Sequence, residues 1–152
     1  MQYQRGDIWQ LAMDQKGWVV VPTNTTIRKD GQAVMGKGLA AAAQYWGWDL
    51  AKQLAIHIRR FNDRLYVCHG GVLAGLICLP TKHDWRRRSE LEYVEKGCRE
   101  LVEVADLLGD SQPIFLPKLG CGLGGLDWEM QVRPVVDSLL EGDRFVLVQH
   151  DE

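Results

Sequence analysis

The sequence has few of the features that mark unusual classes of protein. Its cysteines are Cys68, Cys78, Cys98 and Cys121, and no two of them form a Cys-x-x-Cys pair. We therefore expect free thiols and no disulfide framework. A chain of 152 residues buries roughly 68–70% of its unfolded surface, which is enough to fold without disulfides or a structural metal. The composition, 46% hydrophobic and 25% charged, is that of an ordinary globular domain.

Long apolar runs are also missing. The longest unbroken stretches, such as residues 39–43, fall far short of the about 20 residues that a membrane-spanning helix needs. The N-terminal segment mixes charges and lacks the order of basic, apolar and small residues that marks a signal peptide. The sequence thus predicts a soluble, cytoplasmic protein.

A large excess of either charge is absent as well. The chain has 18 Lys and Arg against 20 Asp and Glu, which gives a formal net charge of −2. Because this charge is small, any phosphate or nucleic-acid binding must come from a local site. The histidines show no ligand spacing with one another or with the cysteines, so we predict neither a metal nor a cofactor. They are His57, His69, His83 and His150.

What is present is an alternation of strand and helix patterns. Apolar and β-branched runs predict strands at 17–23, 64–68, 76–79, 113–116 and 145–148, with weaker ones at 3–4 and 8–11. Helical spacing predicts helices at 37–45, 49–60, 91–108 and 128–141. No repeat or linker divides the chain, so we expect one domain over residues 1–152. The alternation favours an α/β fold, a three-layer α/β/α sandwich with a mixed, largely parallel sheet.

Capping and helix-breaking residues set the expected helix boundaries. Ser89 and Glu92 have the spacing of a capping box before the helix at 91–108. Asp127 is expected to cap the last helix, which Pro134 bends because proline removes a backbone hydrogen bond. Gly47 separates the two helices before residue 61.

Ligands of open α/β sheets bind at the carboxyl ends of the strands, and three segments that follow predicted strands carry suitable residues. The first contains Gly36 and Gly38 at the start of a predicted helix, which presents backbone N–H groups and a helix dipole to an anion. A tight turn explains this glycine pair equally well. The chain has neither a G-x-G-x-x-G nor a G-x-x-x-x-G-K-[ST] pattern, which disfavours a dehydrogenase loop and a Walker loop.

The second segment is a glycine-rich loop at 118–128, with glycine at positions 120, 122, 124 and 125. Glycine loses more conformational entropy on folding than any other residue, so this density predicts backbone that lies against a ligand such as a phosphate chain. Cys121 lies inside the loop, with no histidine or acid beside it in the sequence. We interpret Cys121 as a packing residue rather than a nucleophile.

The third segment is Leu79-Pro-Thr-Lys-His-Asp-Trp85. Desolvation at the rim of an apolar sheet favours the neutral form of an amine, so Lys82 is a candidate base or nucleophile. The alternative is a solvated loop lysine. Trp85 and the basic residues around it are candidates for binding a nucleic-acid backbone and stacking a base, although a charge run is also typical of a solvated face. The basic residues are Lys82, Arg86, Arg87 and Arg88.

These motifs follow one another in a characteristic order. GDI at 6–8 precedes VPTN at 21–24 and GxAVMGKGLA at 31–40, and LPTKxxW at 79–85 precedes LPKLGCGLGGLDW at 116–128. In this order they resemble a macrodomain, the ADP-ribose-binding α/β module, over nearly the whole chain. The motifs are most similar to the DarG-type branch, antitoxin macrodomains that remove ADP-ribose from DNA bases.

The resemblance implies roles for individual residues. Asp7 would bind the adenine amino group, Asn24 would bind the distal ribose, and Lys82 would be the catalytic residue. The two glycine segments would hold the diphosphate. The full set of ligand-binding residues that the resemblance implies is Asp7, Ile8, Thr23, Asn24, Val34, Met35, Gly36, Lys37, Gly38, Leu39, Thr81, Gly120, Cys121, Gly122, Leu123, Gly124 and Gly125.

The implied activity is that of an ADP-ribosyl hydrolase acting on a modified DNA base, and we expect a monomer. The alternatives are a non-catalytic ADP-ribose reader, an ADP-ribose 1″-phosphate phosphatase and a hydrolase acting on acidic protein residues. Gly124 stands where the relatives that cleave acidic-residue esters carry an aspartate, as it does in the DNA-directed branch. The loop at 25–32 is longer and more polar than is typical of that branch, which alters the expected rim of the distal-ribose pocket.

Overall fold

Six strands and five α-helices alternate along the residues that the structure, a computed structural model, describes: 1–46 and 49–150. The strands are β1 (Gln2–Arg5), β2 (Trp18–Asn24), β3 (Tyr66–His69), β4 (Gly75–Lys82), β5 (Ile114–Leu116) and β6 (Phe145–Gln149). The helices are α1 (Ile8–Gln15), α2 (Leu39–Ala43), α3 (Leu50–Phe61), α4 (Leu91–Leu107) and α5 (Arg133–Leu139), and a π-helical turn, Trp128–Val132, leads into α5. Within the described ranges, none of the helices combines the length and the apolar character needed to cross a membrane.

The strands form one sheet in the order β1-β6-β5-β2-β4-β3. Every neighbouring pair is parallel except β3 and β4, which run antiparallel. The predicted α/β fold with a mixed, largely parallel sheet is therefore confirmed. The carboxyl ends of the parallel strands meet at one edge, where Asn24 of β2 lies opposite Lys82 of β4.

β2 shows why the chain folds into three layers. Val19 and Val21 belong to the core shared with α1, α2 and α3, whereas Trp18 and Val20 belong to the core shared with α4 and α5. All four side chains are buried, because a strand inside a covered parallel sheet has no solvent-facing side. The predicted α/β/α sandwich is confirmed.

The first helix corrects the sequence-based prediction. Residues 8–11 are predicted as a weak strand, and this is wrong because they lie in α1. The carboxylate of Asp7 caps the helix by accepting from the backbone N–H groups of Trp9, at 2.9 Å, and Gln10, at 3.1 Å. Ile8 and Ala12 face the core one turn apart. Helical periodicity is hard to recognise in an element of only 8 residues.

Ser89 is not a helix cap, so the predicted capping box is also wrong. α4 begins after Glu90, and the hydroxyl of Ser89 lies 3.0 Å from that of Thr81 on β4. The backbone N–H of Ser89 donates to the carbonyl of Gly124 at 2.8 Å. Because Ser89 is buried, its polar groups need partners, and they find them in the sheet and the glycine-rich loop.

The remaining differences concern boundaries. β4 continues through Lys82, so the Pro-Thr-Lys motif that is predicted to follow the strand lies within it. Asp127 caps the last helical segment as predicted, with its carboxylate accepting from the N–H of Met130 at 2.8 Å. The irregularity before Pro134 takes the form of the π-helical turn. The predicted helix break at Gly47 lies outside the described residues.

Candidate functional site

A cavity of about 850 Å³ opens at the carboxyl edge of the sheet. It is formed by the ends of β2 and β4 and by the two glycine segments, which precede α2 and follow β5. These segments are distant in the sequence and meet because parallel strands end at the same edge. The predicted site residues that line this cavity are Thr23, Asn24, Val34, Met35, Gly36, Lys37, Gly38, Leu39, Thr81, Lys82, Gly120, Cys121, Gly122, Leu123 and Gly124.

A second cavity, of about 370 Å³, adjoins the first. Asp7 and Ile8, which follow β1, line this smaller cavity. Three strands separate β1 from β4, which ends in Lys82. At about 4.8 Å for each of the four strand spacings, the combined cleft spans roughly 19 Å. The residues that both cavities share are Gly38, Leu39 and Pro117.

The larger cavity is positively charged. Its lining, within the described part of the chain, has no aspartate or glutamate and includes the cationic side chains of Arg28, Lys37, Lys82 and Lys118. A chain with a net charge of −2 therefore concentrates positive charge at one concave place. Such a cleft attracts anions because its low-dielectric walls focus the field.

The end of β2 supplies two buried polar side chains. The amide nitrogen of Asn24 donates to the carbonyl of Val34 at 3.0 Å, and its amide oxygen accepts from the backbone N–H of Thr26 at 2.9 Å. The hydroxyl of Thr23 is buried and has no hydrogen-bond partner among the described residues.

Lys82 ends β4 beside Asn24 and lines the larger cavity. Its side chain is partly buried, and within residues 1–46 and 49–150 it forms neither a salt bridge nor a side-chain hydrogen bond. The neighbouring His83 is not among the lining residues, and its ring Nδ1 lies 2.6 Å from the hydroxyl of Thr25. The amine of Lys82 is thus the group next to the end of β2 that is available for chemistry.

The glycines near the cavity differ in the space around their α-carbons. A Cβ added at Gly122 would meet no atom within 4 Å, and the same holds at Gly36 and Gly38, whose φ angles are 63° and 79°. At Gly124, in contrast, an added Cβ would lie 2.2 Å from Ser89 Oγ. Close packing against Ser89 therefore requires glycine at position 124, whose backbone also lines the cavity, and ligand binding by the glycine-rich loop stays a prediction.

Only part of the predicted nucleic-acid-binding group lines the cavity. Lys82 and Trp85 line the larger cavity, and Arg88 instead donates through Nη2 to the carbonyl of Gly125 at 2.8 Å. This bond braces the glycine-rich loop from outside. Gly125 is not among the lining residues of either cavity. The basic residues that lie outside the lining are Arg86, Arg87 and Arg88.

Cys121 lines the cavity, but its thiol is poorly suited to be a nucleophile. Burial raises the pKa of Cys121 to about 11, and Sγ lies 3.3 Å from the carbonyl of Leu119. Because the thiolate is the reactive form, little of it is present at neutral pH. The four cysteines are free thiols, as predicted. The described residues contain no cluster of three or more His, Cys, Asp or Glu side chains able to hold a metal ion.

The lining residues that the sequence analysis misses include Trp9, Arg28, Ser89 and Lys118. The unusual polarity of the loop at 25–32 is the sequence feature that could have indicated Arg28 as a lining residue. Ser89 was hidden by its resemblance to a helix cap. Trp9 stacks on Trp46 with ring centroids 5.5 Å apart, a tertiary contact that no local pattern shows.

Comparisons with known proteins agree with this architecture. No protein-family model matches the chain. The macrodomain of Thermus aquaticus DarG is 30% identical, with a TM-score of 0.73, and the match covers 97% of this chain and 95% of that one. Thermosipho africanus DarTG in complex with ADP-ribose is 25% identical, with a TM-score of 0.72, over 98% of this chain and 42% of that one. The DNA ADP-ribosyl transferase-DNA ADP-ribosyl glycohydrolase fusion protein of T. africanus is 41% identical over an alignment of 126 residues, and the match covers 69% of this chain and 32% of that protein.

A mixed six-stranded sheet with a two-part cleft at its carboxyl edge defines an α/β ligand-binding module. The chain belongs to the macrodomain family, since its likeness to the T. aquaticus DarG macrodomain covers nearly all of both chains. The solved structures described above are those of a DarG macrodomain and of a DarTG protein. The chain spans between about a fifth and a third of the length of the curated relatives that it matches.

Proposed function

We propose that this chain is an ADP-ribosyl hydrolase that binds ADP-ribose attached to a DNA base and releases it. The observation that carries this proposal is that the amine of Lys82 shares one cavity with Asn24 and with both glycine segments. The DNA ADP-ribosyl glycohydrolase part of the T. africanus relative supports the same activity. We also propose that residues 1–152 act as one macrodomain, as a monomer in the cytoplasm, where its DNA substrate lies.

The cleft suits ADP-ribose along its length. We propose that adenine binds in the smaller cavity, where one carboxylate oxygen of Asp7 caps α1 and the other is left to accept from the adenine amino group. The diphosphate would lie between the glycine segments, against Gly122, where a Cβ would find open space. Lys37 and Lys118 line the same part of the wall and supply charge. The complex of T. africanus DarTG with ADP-ribose supports this choice of ligand.

The distal ribose would lie at the end of β2. The amide nitrogen of Asn24 keeps one hydrogen after donating to the carbonyl of Val34, and this hydrogen can bond a ribose hydroxyl. C1″ of that ribose would then face Lys82, because Asn24 and Lys82 lie opposite each other on adjacent strands. Holding a scissile bond beside a catalytic group in this way is worth about 7–11 kcal/mol of the barrier in well-oriented systems.

The reaction is hydrolysis of the bond between C1″ and a nitrogen of the base. Water gives its hydroxyl to C1″ and its proton to the base, so the products are ADP-ribose and the unmodified base. A neutral Lys82 amine can act by attacking C1″ or the aldehyde of an opened ribose, or by taking a proton from a neighbouring group. A charged Lys82 can act by stabilising charge that develops on the leaving group.

The proposal is tested by turnover of ADP-ribosylated DNA beside ADP-ribosylated acidic protein residues and ADP-ribose 1″-phosphate. We expect turnover of the DNA substrate and a loss of several orders of magnitude in Lys82→Ala. Affinity for ADP-ribose should stay within about tenfold, or ~1.4 kcal/mol, because backbone N–H groups hold most of the diphosphate. Lys52→Ala, an exposed lysine on α3 outside both cavities, is the control.

Lys82→Arg separates the possible roles of the amine. Arginine keeps the charge and cannot lose its proton at neutral pH, so an inactive Lys82→Arg indicates base or nucleophile chemistry. An active Lys82→Arg would assign the lysine to charge stabilisation. Unchanged turnover of the DNA substrate by Lys82→Ala would contradict the role given to Lys82. If the unsubstituted chain does not turn over that substrate, the reader is favoured, or the phosphatase if ADP-ribose 1″-phosphate is turned over instead.

A further inference from the structure

The loop between β2 and α2 has a defined hydrogen-bonded structure and brings Arg28 to the cavity. Ile27 and Ala33 form an antiparallel bridge, and the backbone N–H of Arg28 donates to the carbonyl of Gln32 at 2.7 Å. At the base of the loop, the N–H of Val34 donates to the carbonyl of Thr26 at 3.0 Å. Arg28 is therefore held at the rim of the cavity by a closed hairpin of hydrogen bonds.

The partner of Arg28 in this structure is one that a ligand can replace. Its Nη2 lies 2.9 Å from Asp30, and the two side chains are 58% and 44% exposed. An ion pair this exposed contributes little because water and salt screen it. A phosphate offers the planar guanidinium two acceptor oxygens in the geometry that it fits best. Arg28 can thus exchange Asp30 for a phosphodiester at small cost.

Trp85 lies on the same rim. Its side chain lines the cavity that contains Lys82 and is still 49% exposed. Its backbone N–H donates to the hydroxyl of Thr26 at 3.2 Å, and the carbonyl of His83 accepts from the N–H of Thr25 at 3.2 Å. These bonds fasten the segment after β4 to the base of the Arg28 loop. The segment that carries the indole ring and the loop that carries the guanidinium are consequently joined to each other at the rim of the cavity that contains Lys82.

The cavity also has more cationic side chains than the two phosphates of ADP-ribose need as partners. Lys37 and Lys118 adjoin the glycine segments in the sequence and match a diphosphate, while Lys82 ends β4 and Arg28 lies in the loop after β2. The carboxylate that offsets Arg28 is that of Asp30, which is outside the lining. An attached acidic protein side chain would bring neither a phosphate for Arg28 nor a ring for Trp85, whereas a nucleotide brings both.

We propose that Arg28 and Trp85 recognise the nucleic-acid strand that carries ADP-ribose, with Arg28 binding a phosphodiester beside the modified nucleotide and Trp85 stacking on the base of a flanking nucleotide. This inference rests on the proposed function and deepens it, since it assigns the substrate side of the cleft. The strand is then positioned from outside the ADP-ribose pocket, at the end where the scissile bond lies. A substrate that lacks phosphodiesters gains nothing from either residue.

Two ligands with the same ADP-ribosyl linkage separate the recognition of the strand from the recognition of ADP-ribose. One is an ADP-ribosylated single-stranded oligonucleotide and the other is the ADP-ribosylated nucleoside without flanking phosphates. Their affinities are measured in a Lys82→Ala background, so that turnover does not interfere. Arg28→Ala and Trp85→Ala should each weaken binding of the oligonucleotide about tenfold. Both variants should leave binding of the nucleoside unchanged.

Arg28→Ala should also lower the slope of log affinity against log salt for the oligonucleotide by about 0.7, the value for one lost phosphate contact on a single strand. The matched control is Arg99→Ala on α4. Its ion pair with Glu95 has the same length, 2.9 Å, and the side chains are 62% and 46% exposed, but Arg99 lies outside both cavities. This control should change neither affinity nor slope.

Equal losses for the oligonucleotide and the nucleoside would overturn the inference, because Arg28 and Trp85 would then act on ADP-ribose or on loop structure. Unchanged oligonucleotide binding would overturn it as well, and an ADP-ribosylated acidic peptide weakened as much as the oligonucleotide would assign the rim to protein. These outcomes are independent of catalysis. If the unsubstituted chain hydrolyses neither ligand, the proposed hydrolase is wrong, while a selective loss of oligonucleotide binding would still uphold the strand contact.

Discussion

Two glycines in the same loop should respond in opposite ways to substitution by alanine. At Gly124 an added Cβ would lie 2.2 Å from Ser89 Oγ and 2.5 Å from the carbonyl oxygen of Gly120. Neither partner can move easily, because Ser89 is buried and bonded to Thr81 and the other is backbone. Overpacking of this kind costs about 1–3 kcal/mol. At roughly 3 °C per kcal/mol for a chain of this size, we expect Gly124→Ala to lower the melting temperature by about 3–9 °C.

Gly122→Ala should leave stability within about 0.5 kcal/mol of the unsubstituted protein. Its backbone lies outside the left-handed region, and an added Cβ would meet no atom within 4 Å. The methyl group would occupy the space over the loop where we propose that the diphosphate binds. Affinity for ADP-ribose should therefore fall by at least about tenfold, or ~1.4 kcal/mol, and Gly122→Val should bind more weakly still.

Thermal unfolding followed by circular dichroism measures the melting temperatures of the two variants. Calorimetric titration with ADP-ribose and with AMP measures ligand affinity. The unsubstituted protein should prefer ADP-ribose, because the cleft has separate ends for adenine and for the distal ribose. Equal melting temperatures for Gly122→Ala and Gly124→Ala would refute the packing argument. Normal ADP-ribose binding by Gly122→Val would refute the assignment of the loop to the diphosphate.

Asp7→Ala removes the cap of α1 and should cost about 1 kcal/mol, whereas Asp7→Ser keeps a capping oxygen. Both variants should bind ADP-ribose more weakly, and unfolding and calorimetry together separate the two effects; normal binding by Asp7→Ser would contradict the adenine contact. Burial raises the pKa of Cys78 and Cys98 to about 12 and that of Cys121 to about 11, from 9.0. Because the unfolded chain then releases thiol protons at lower pH than the folded protein, the free energy of unfolding should be unaffected below pH 9 and fall as the pH rises above it. Urea unfolding at pH 7, 9 and 10 measures this, and a stability that stays constant to pH 10 would speak against buried thiols.

Much of the site was predictable because its parts are local motifs at the ends of buried strands. The residues of VPTN and of Pro-Thr-Lys end β2 and β4, and the topology brings Asn24 and Lys82 to the same edge. The rule that ligands bind at the carboxyl ends of parallel strands does not need the order of the strands. It was therefore possible to name these residues as candidates before their contacts were known.

The errors arose where a local pattern competed with a distant contact. Ser89 has the sequence of a helix cap, yet its hydroxyl bonds Thr81 and its backbone N–H bonds Gly124. Gly124 lies in a loop with the composition of a phosphate-binding loop, and its lack of a side chain also allows close packing against the same serine. Spacing along the chain cannot distinguish these cases, because both partners come from other elements.

The sequence by itself determined the α/β class, the positions of the strands and the glycine segments, because β-branched runs, caps and turns act over a few neighbouring residues. Only the tertiary structure decided which side chains share the cavity, since that depends on strand order and on hydrogen bonds between distant loops. It brought Arg28 and Trp85 to the rim beside Lys82 and turned Arg88 to the outside of the glycine-rich loop. The sequence of a run of basic residues does not show which of them face a cavity and which face away from it. The direction of each side chain is set by the residues that pack against it.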